Sequence, residues 1–365
     1  METDIQQSYV FYRNTVNNVN PFTQLPVSAL LENGTGSLDP LLLHTLLTFS
    51  FEDIYSKYPD IGKYMKTCQL VFYSNFQITK VLQRKGKQNR QLEREAFREE
   101  YVATYRTDWI EPILQNHSDY AKNTDCFNRF IQEVSGKLER LNGEIKQIID
   151  YENMDSEFRH ILLNRMGIDV CPYCNRQFIT QFMDRDKFKT TADLDHFYPK
   201  AHFPLFALSM FNFVPSCQIC NSRFKLDKGI EILYPYNSGF NQDTYFHIPL
   251  RPDTKIGSIL GEDTDFELEL IHEGTGPDST AIHNSIELFN LSKVYQSHKD
   301  YVRELLYKKN AYSESYKGDL MSLLGKLNLS AKEMNLFQYG FTLTEDEFGK
   351  RPLSKLAYDI IQRNS

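Results

Sequence analysis

Four of the six cysteines fall into two pairs of identical spacing, Cys171 and Cys174 in Cys-Pro-Tyr-Cys and Cys217 and Cys220 in Cys-Gln-Ile-Cys. Zinc takes four soft ligands in a tetrahedron, and a two-residue spacer lets both thiolates of a tight knuckle face one ion. Two knuckles predict one structural zinc site. A redox Cys-x-x-Cys would explain one pair and leave the other idle. Cys68 and Cys126 stand alone and read as buried small hydrophobes.

A plain zinc ribbon leaves about 15–20 residues between its pairs. The interval from Cys174 to Cys217 is far longer and holds its own chemistry: Asp193, Asp195, His196, Pro199, Lys200, His202 and Asn212, with Asn221 directly after Cys220. Ala192, Leu194 and Phe197 predict a short strand that Pro199 ends. Ser222 to Leu226 predicts a short helix stopped by Gly229. A carboxylate (Asp195) and a carboxamide (Asn221) make an oxygen-rich pair suited to Mg²⁺ or Mn²⁺. A neighbouring imidazole (His196) can deprotonate water near neutral pH. Such a set suits metal-assisted hydrolysis of a phosphodiester, the metal stabilising charge on the phosphate and the leaving oxygen. On a strand Asp193 shares the face of Asp195; it would either brace the metal site or stand as a solvated carboxylate. His202 reads as a surface or core-edge histidine, with a phosphate contact or a third group near the metal as the alternatives.

Asp195-His196, then Asn212, then Cys-x-x-Cys-Asn221 with Lys225 close behind, resembles the HNH nuclease signature. The fuller run, Asp195-His196 followed by Pro199-Lys200 and then Asn212-Phe-Val-Pro-Ser-Cys217-x-x-Cys220-Asn221, is similar to bacterial HNH proteins of anti-phage defence, including the Septu-type nuclease subunit. The similarity is firm from Val170 to Gly229. It implies a ββα-metal fold, with Asp195 and Asn221 as ligands of the catalytic cation, His196 as general base and Asn212 holding the histidine loop. It also implies phosphate or DNA contacts from Lys200, Lys225 and Arg223, and action beside an ATPase or sensor partner. The third signature position is Asn221 rather than His, and Phe213 stands where Leu is commoner.

The surrounding chain must position this module. Residues 1–165 read as mostly helical. Asp39-Pro40 supplies an N-cap and a first-turn proline. Phe127, Phe130, Ile131, Val134, Leu138, Leu141, Ile145 and Ile148 step by three or four, an amphipathic helix weakened by Gly136 and Gly143. Thr79 to Arg98 is the most cationic stretch (Lys80, Arg84, Lys85, Lys87, Arg90, Arg94, Arg98). It reads as a solvated helix face or loop, or as a DNA-backbone contact. After Gly229, Tyr245 to Ile248 and Phe266 to Leu270 alternate like strands, and Thr280 to Leu324 is helical in pattern. The fold class expected is α+β: a small ββα-metal, treble-clef-like zinc module (166–232) embedded in a mostly α-helical body (1–165 and 233–365).

Composition bounds these readings. With 365 residues, 41% hydrophobic and 13% aromatic, the chain is neither disordered nor collagen-like. The most apolar run, Leu41 to Phe51, is interrupted by His44 and Thr45 and falls short of a membrane span. No signal peptide is visible at the start, so a cytoplasmic protein without a membrane partner is expected. The net charge of −7 argues against coating nucleic acid by bulk charge, but Cys171 to Lys228 has a basic excess, as a phosphate-binding surface should. The alternative function is a zinc-stabilised nucleic-acid or protein binding module without catalysis. That reading needs the cysteines but not Asp195, His196 and Asn221 together.

Overall fold

The computed structural model describes residues 1–84, 91–312, 314–324, 329–341 and 343–363. Residues 85–90 and the side chains of 77–84, the middle of the cationic stretch, lie outside the described residues. In chain order the helices are α1 (Glu2–Thr15), α2 (Pro40–Thr48), α3 (Phe51–Lys57), α4 (Pro59–Arg84), α5 (Gln91–Thr104), α6 (Glu111–Asn116), α7 (Thr124–Ile148) and α8 (Ser156–Met166). Then come strands β1 (Gln181–Asp184), β2 (Lys187–Thr190), β3 (Asp193–His196), β4 (Phe213–Ser216) and β5 (Thr244–His247). The remainder is α9 (Ile256–Leu260), β6 (Glu269–His272), α10 (Ser279–Leu288), α11 (Leu291–Val294), α12 (Lys299–Ala311), α13 (Glu314–Leu324), α14 (Ala331–Tyr339) and α15 (Ser354–Arg363). The architecture is mixed α and β, mostly helical, with two-stranded sheets β1–β2, β3–β4 and β5–β6 among the described residues. Among the same residues no helix is long and apolar enough to cross a membrane.

The chain divides into two compact units. The first comprises Met1–Arg159, Asp195–Val214 and Asp227–Ile230. Its helix starts are chemically explicit. The Asp39 carboxylate accepts from the N–H groups of Leu41 and Leu42, with Pro40 at the first helical position. Ser50 caps α3 by accepting from Asp53 N, and Asn123 caps α7 by accepting from Cys126 N. The apolar stripe of α7 is buried through Phe127, Phe130, Val134, Leu138, Leu141, Ile145 and Ile148. Phe127, Phe130 and Val134 join Leu70, Tyr73, Tyr101, Val102 and Ile110 in one core. Arg98, expected on a cationic surface, is buried here. Its guanidinium donates to Ala121 O at 2.8 Å and Thr124 Oγ1 at 3.2 Å, tying a loop end to α7. Cys68 and Cys126 are buried.

The second unit comprises His160–Leu194, Pro215–Leu226 and Glu231–Ser365. Its β1–β2 hairpin pairs Asp184 with Lys187 around Arg185 and Asp186, both at positive φ (48° and 64°). Two consecutive left-handed residues give the twist that a tight hairpin needs. The strand expected at Phe266 to Leu270 forms at Glu269–His272 instead, antiparallel to β5. Phe266 and Leu268 are buried ahead of it, so the alternation there marks core positions in a loop. Thr280 to Leu324 is not one helix. Asn290 takes a left-handed φ of 50° between α10 and α11, and further breaks precede α12 and α13.

Candidate functional site

The first knuckle is shaped by its backbone. Val170 bridges Phe178 antiparallel, Cys171 N donates to Gln177 O at 3.0 Å, and Asn175 N donates to Cys171 O at 2.8 Å. Closing that turn puts Asn175 at φ 50°, a conformation asparagine tolerates better than most residues. The Asn175 side chain donates to Phe348 O at 2.7 Å and accepts from Lys355 N at 3.3 Å. Tyr295 Oη donates to Cys174 O at 2.7 Å, and Tyr173 stacks on Phe289. The C-terminal helices thus grip the knuckle from several sides. In the second knuckle Asn221 N donates to Cys217 O at 3.1 Å and Cys220 N reaches Cys217 Sγ at 3.5 Å.

All four cysteines are buried, and their Sγ atoms lie within 4.8 Å of one another. Zinc–sulfur bonds of about 2.3 Å make a tetrahedron with edges of about 3.8 Å, so the donor set fits a zinc ion. Hydrogen bonding among the four thiols holds those of Cys217 and Cys174 below their ordinary range and pushes those of Cys171 and Cys220 above it; the thiolate is the ligand form. The four buried cysteines could hold a structural zinc ion.

After Cys220 the backbone forms a π-helical turn, Cys220–Lys225, that ends at Leu226 with φ 51°. The short helix expected there stops before Gly229, whose role is different. A Cβ on Gly229 would meet Phe72 O at 1.9 Å, so glycine permits a close backbone approach. Asn221 Nδ2 donates to Asp193 Oδ2 at 3.1 Å and Ser222 Oγ donates to the same oxygen at 3.3 Å. Asp193 therefore orients the Asn221 carboxamide. Arg223 is exposed, whereas Lys225 is only 4% exposed, which takes its ammonium off the solvent-facing surface.

Asp195, His196 and Asn212 belong to the first unit. Asp195, on β3, is 4% exposed. His196 Nε2 lies 2.9 Å from Ala207 O. A carbonyl can only accept, so Nε2 carries the proton, and in the neutral ring Nδ1 carries the basic lone pair. Phe213 meets the ring edge-on at 5.1 Å. Asn212 is fully buried and staples the loop that follows His196. Its Oδ1 accepts from Tyr198 N at 2.8 Å, and its Nδ2 donates to Tyr198 O and Phe206 O, both at 3.0 Å. Its own carbonyl accepts from Phe197 N at 2.8 Å.

The helices position this loop. Phe51 of α3 meets Tyr198 and Phe206 edge-on at 5.1 and 5.4 Å, and Phe72 of α4 meets Phe203 at 5.3 Å. Asn142 of α7 donates to His202 O at 3.0 Å and accepts from Tyr64 Oη at 2.8 Å. The His202 ring lies against Phe72 at 4.9 Å. Lys200 pairs with Glu152 and stands over the Tyr151 ring. Tyr151 in turn meets the His196 ring edge-on at 4.6 Å. Reading the sequence alone misses Tyr151 and Glu152, because nothing in their local spacing connects them to a loop more than forty residues away.

No family model matches the chain, and no solved structure matches it significantly. The chain is 31% identical over 83 residues to protein ea31 of Escherichia phage lambda, a match covering 21% of this chain and 23% of that protein. The chain thus spans less than a quarter of the length of this curated relative.

Proposed function

We propose that the chain is a metal-dependent endonuclease of the HNH type that hydrolyses DNA phosphodiester bonds, with His196 as general base. The observation that carries this reading is the pinned histidine. Its Nε2 is held by Ala207 O on a loop stapled by Asn212, so a defined nitrogen is the base. On the resemblance alone, Asp195, adjacent on the same strand, and Asn221, whose carboxamide Asp193 orients, would be the ligands of a Mg²⁺ or Mn²⁺ ion. When bound, that ion would supply charge stabilisation for the phosphate and leaving oxygen. The four-cysteine zinc site would hold the fold and take no part in the reaction. A role in anti-phage defence, in the cytoplasm and beside an ATPase or sensor partner, rests on the resemblance alone.

The test is cleavage of supercoiled plasmid and linear DNA by the purified chain, first in EDTA and then with Mg²⁺ or Mn²⁺ restored. Cutting that requires the added cation, and that Asn221→Ala weakens, is expected. Cutting unaffected by cation removal would refute the metal-dependent reading. DNA binding with no cutting under any cation, in the presence of every candidate partner, would favour the zinc-stabilised binding module.

A further inference from the structure

Next to His196 the 3-10 turn Tyr151–Asn153 and the first turns of α8 collect charges that the reaction above does not use. Lys200 Nζ lies 4.2 Å from the Tyr151 ring centroid and Arg159 Cζ lies 5.1 Å from it. Each cation is attracted to the ring electrons, but two cations around one ring repel each other. A shared anion relieves that repulsion. In the free chain the anion is Glu152, whose carboxylate pairs with Lys200. That pair is solvent-exposed, with 72% of the Glu152 side chain and 40% of the Lys200 side chain accessible. An exposed ion pair yields easily to a competing anion. The guanidinium also has donor capacity to spare. One Nη donates to Met154 O at 3.0 Å, and the Nε is buried with no acceptor.

We propose that Lys200 and Arg159, ordered on the Tyr151 ring, form a seat for a backbone phosphate of the DNA strand beside His196, and that the Glu152 carboxylate occupies this seat in the free chain. The inference rests on the reading of His196 as the base of a DNA-cleaving site. Tyr151 acts as a positioning residue: one ring contacts the imidazole and orders both cations, so phosphate capture and base orientation are linked. Arg159 offers a planar fork and Lys200 a point charge, a combination that matches a tetrahedral monoanion. Displacing Glu152 makes binding of the strand an exchange of one anion for another.

The experiment measures affinity for a fluorescent DNA duplex by anisotropy between 50 and 200 mM salt, using the full chain carrying His196→Ala to prevent cutting. Each phosphate contact contributes about 0.9 to the slope of log affinity against log salt. Because the two side chains share one phosphate, Lys200→Ala and Arg159→Ala are each expected to flatten the slope by up to that amount and the double variant by no more, with Lys200→Arg restoring it. Glu152→Gln is expected to tighten binding several-fold. Slopes unchanged in both alanine variants, absent DNA binding, or weaker binding in Glu152→Gln would overturn the seat. The same substitutions with His196 intact separate the two ideas. Altered slopes without any cleavage, under any cation and with every candidate partner present, would leave the seat and remove the nuclease reading. Cleavage with unaltered slopes would do the reverse.

Discussion

Replacing Asn212 by alanine removes three side-chain hydrogen bonds at a fully buried position. It leaves Tyr198 N, Tyr198 O and Phe206 O without those partners. A hydrogen bond contributes about 0.5–1.5 kcal/mol net, and a buried group left unpaired costs about 1–3 kcal/mol. Three such losses, partly relieved by relaxation and water at the half-buried Tyr198, come to about 3–5 kcal/mol. Each kcal/mol lowers Tm by about 2–4 °C in a unit of 150–250 residues, so thermal unfolding should shift down by roughly 6–20 °C. Asn212→Asp should be comparably damaging, because it keeps the acceptor for Tyr198 N but turns both donor contacts into oxygen facing oxygen. Both variants should lose cleavage below their unfolding temperature, since the loop carries Ala207 O, the acceptor for His196. Circular dichroism melts paired with cleavage rates test this. An Asn212→Ala chain within 1 kcal/mol of wild type would refute the stapling argument.

Other expectations follow from the same geometry. Gly136 and Gly143 have nothing within 4 Å of an added Cβ, so alanine at either should raise stability by about 0.5–1 kcal/mol, read as a denaturation midpoint; a loss would mean α7 needs glycine there. Lys355 and Asp359 form a buried pair at 2.6 Å, and Lys355→Met should cost about 3–5 kcal/mol by stranding the carboxylate. Adding Asp359→Asn should recover most of that, because the amide oxygen still accepts from Phe246 N; no recovery in the double variant would count against an ionic pair. Burial, aided by the nearby Arg176, lowers the pKa of His298 in the folded chain. Below about pH 6.5 the unfolded chain therefore takes up a proton that the folded chain refuses, and stability falls as pH falls. His298→Gln should show a shallower decline between pH 7 and 5.5, and identical slopes would remove the assignment.

The parts of the fold legible in the sequence are those set by local chemistry. Asp39-Pro40 starts α2, and the three-to-four spacing from Phe127 to Ile148 marks the buried stripe of α7. The paired Cys-x-x-Cys motifs bring four thiols together because each knuckle is a self-contained turn. What was not legible depends on tertiary partners. Arg185-Asp186 lacks the Asn-Gly or Asp-Gly signal that announces a tight hairpin, so nothing local marks the β1–β2 turn. Phe266 and Leu268 alternate because loop side chains enter the core, not because a strand runs there. Gly229 reads as a helix stop until the Phe72 carbonyl is seen against it. Arg98 looks like surface charge until its carbonyl and hydroxyl acceptors appear. Asp195, His196, Asn212 and Asn221 stand out in the sequence as a motif, whereas Tyr151 enters only through its ring contact with His196.

The most direct test of the central claim compares DNA cleavage by wild-type and His196→Ala chains in Mg²⁺, alongside zinc content and Tm. General-base catalysis contributes typically 10²–10⁴-fold. A loss of about that size is expected in His196→Ala, with one zinc per chain retained. Cys217→Ser should show the opposite division, losing zinc and unfolding at lower temperature. Cleavage by His196→Ala at the wild-type rate would contradict the claim.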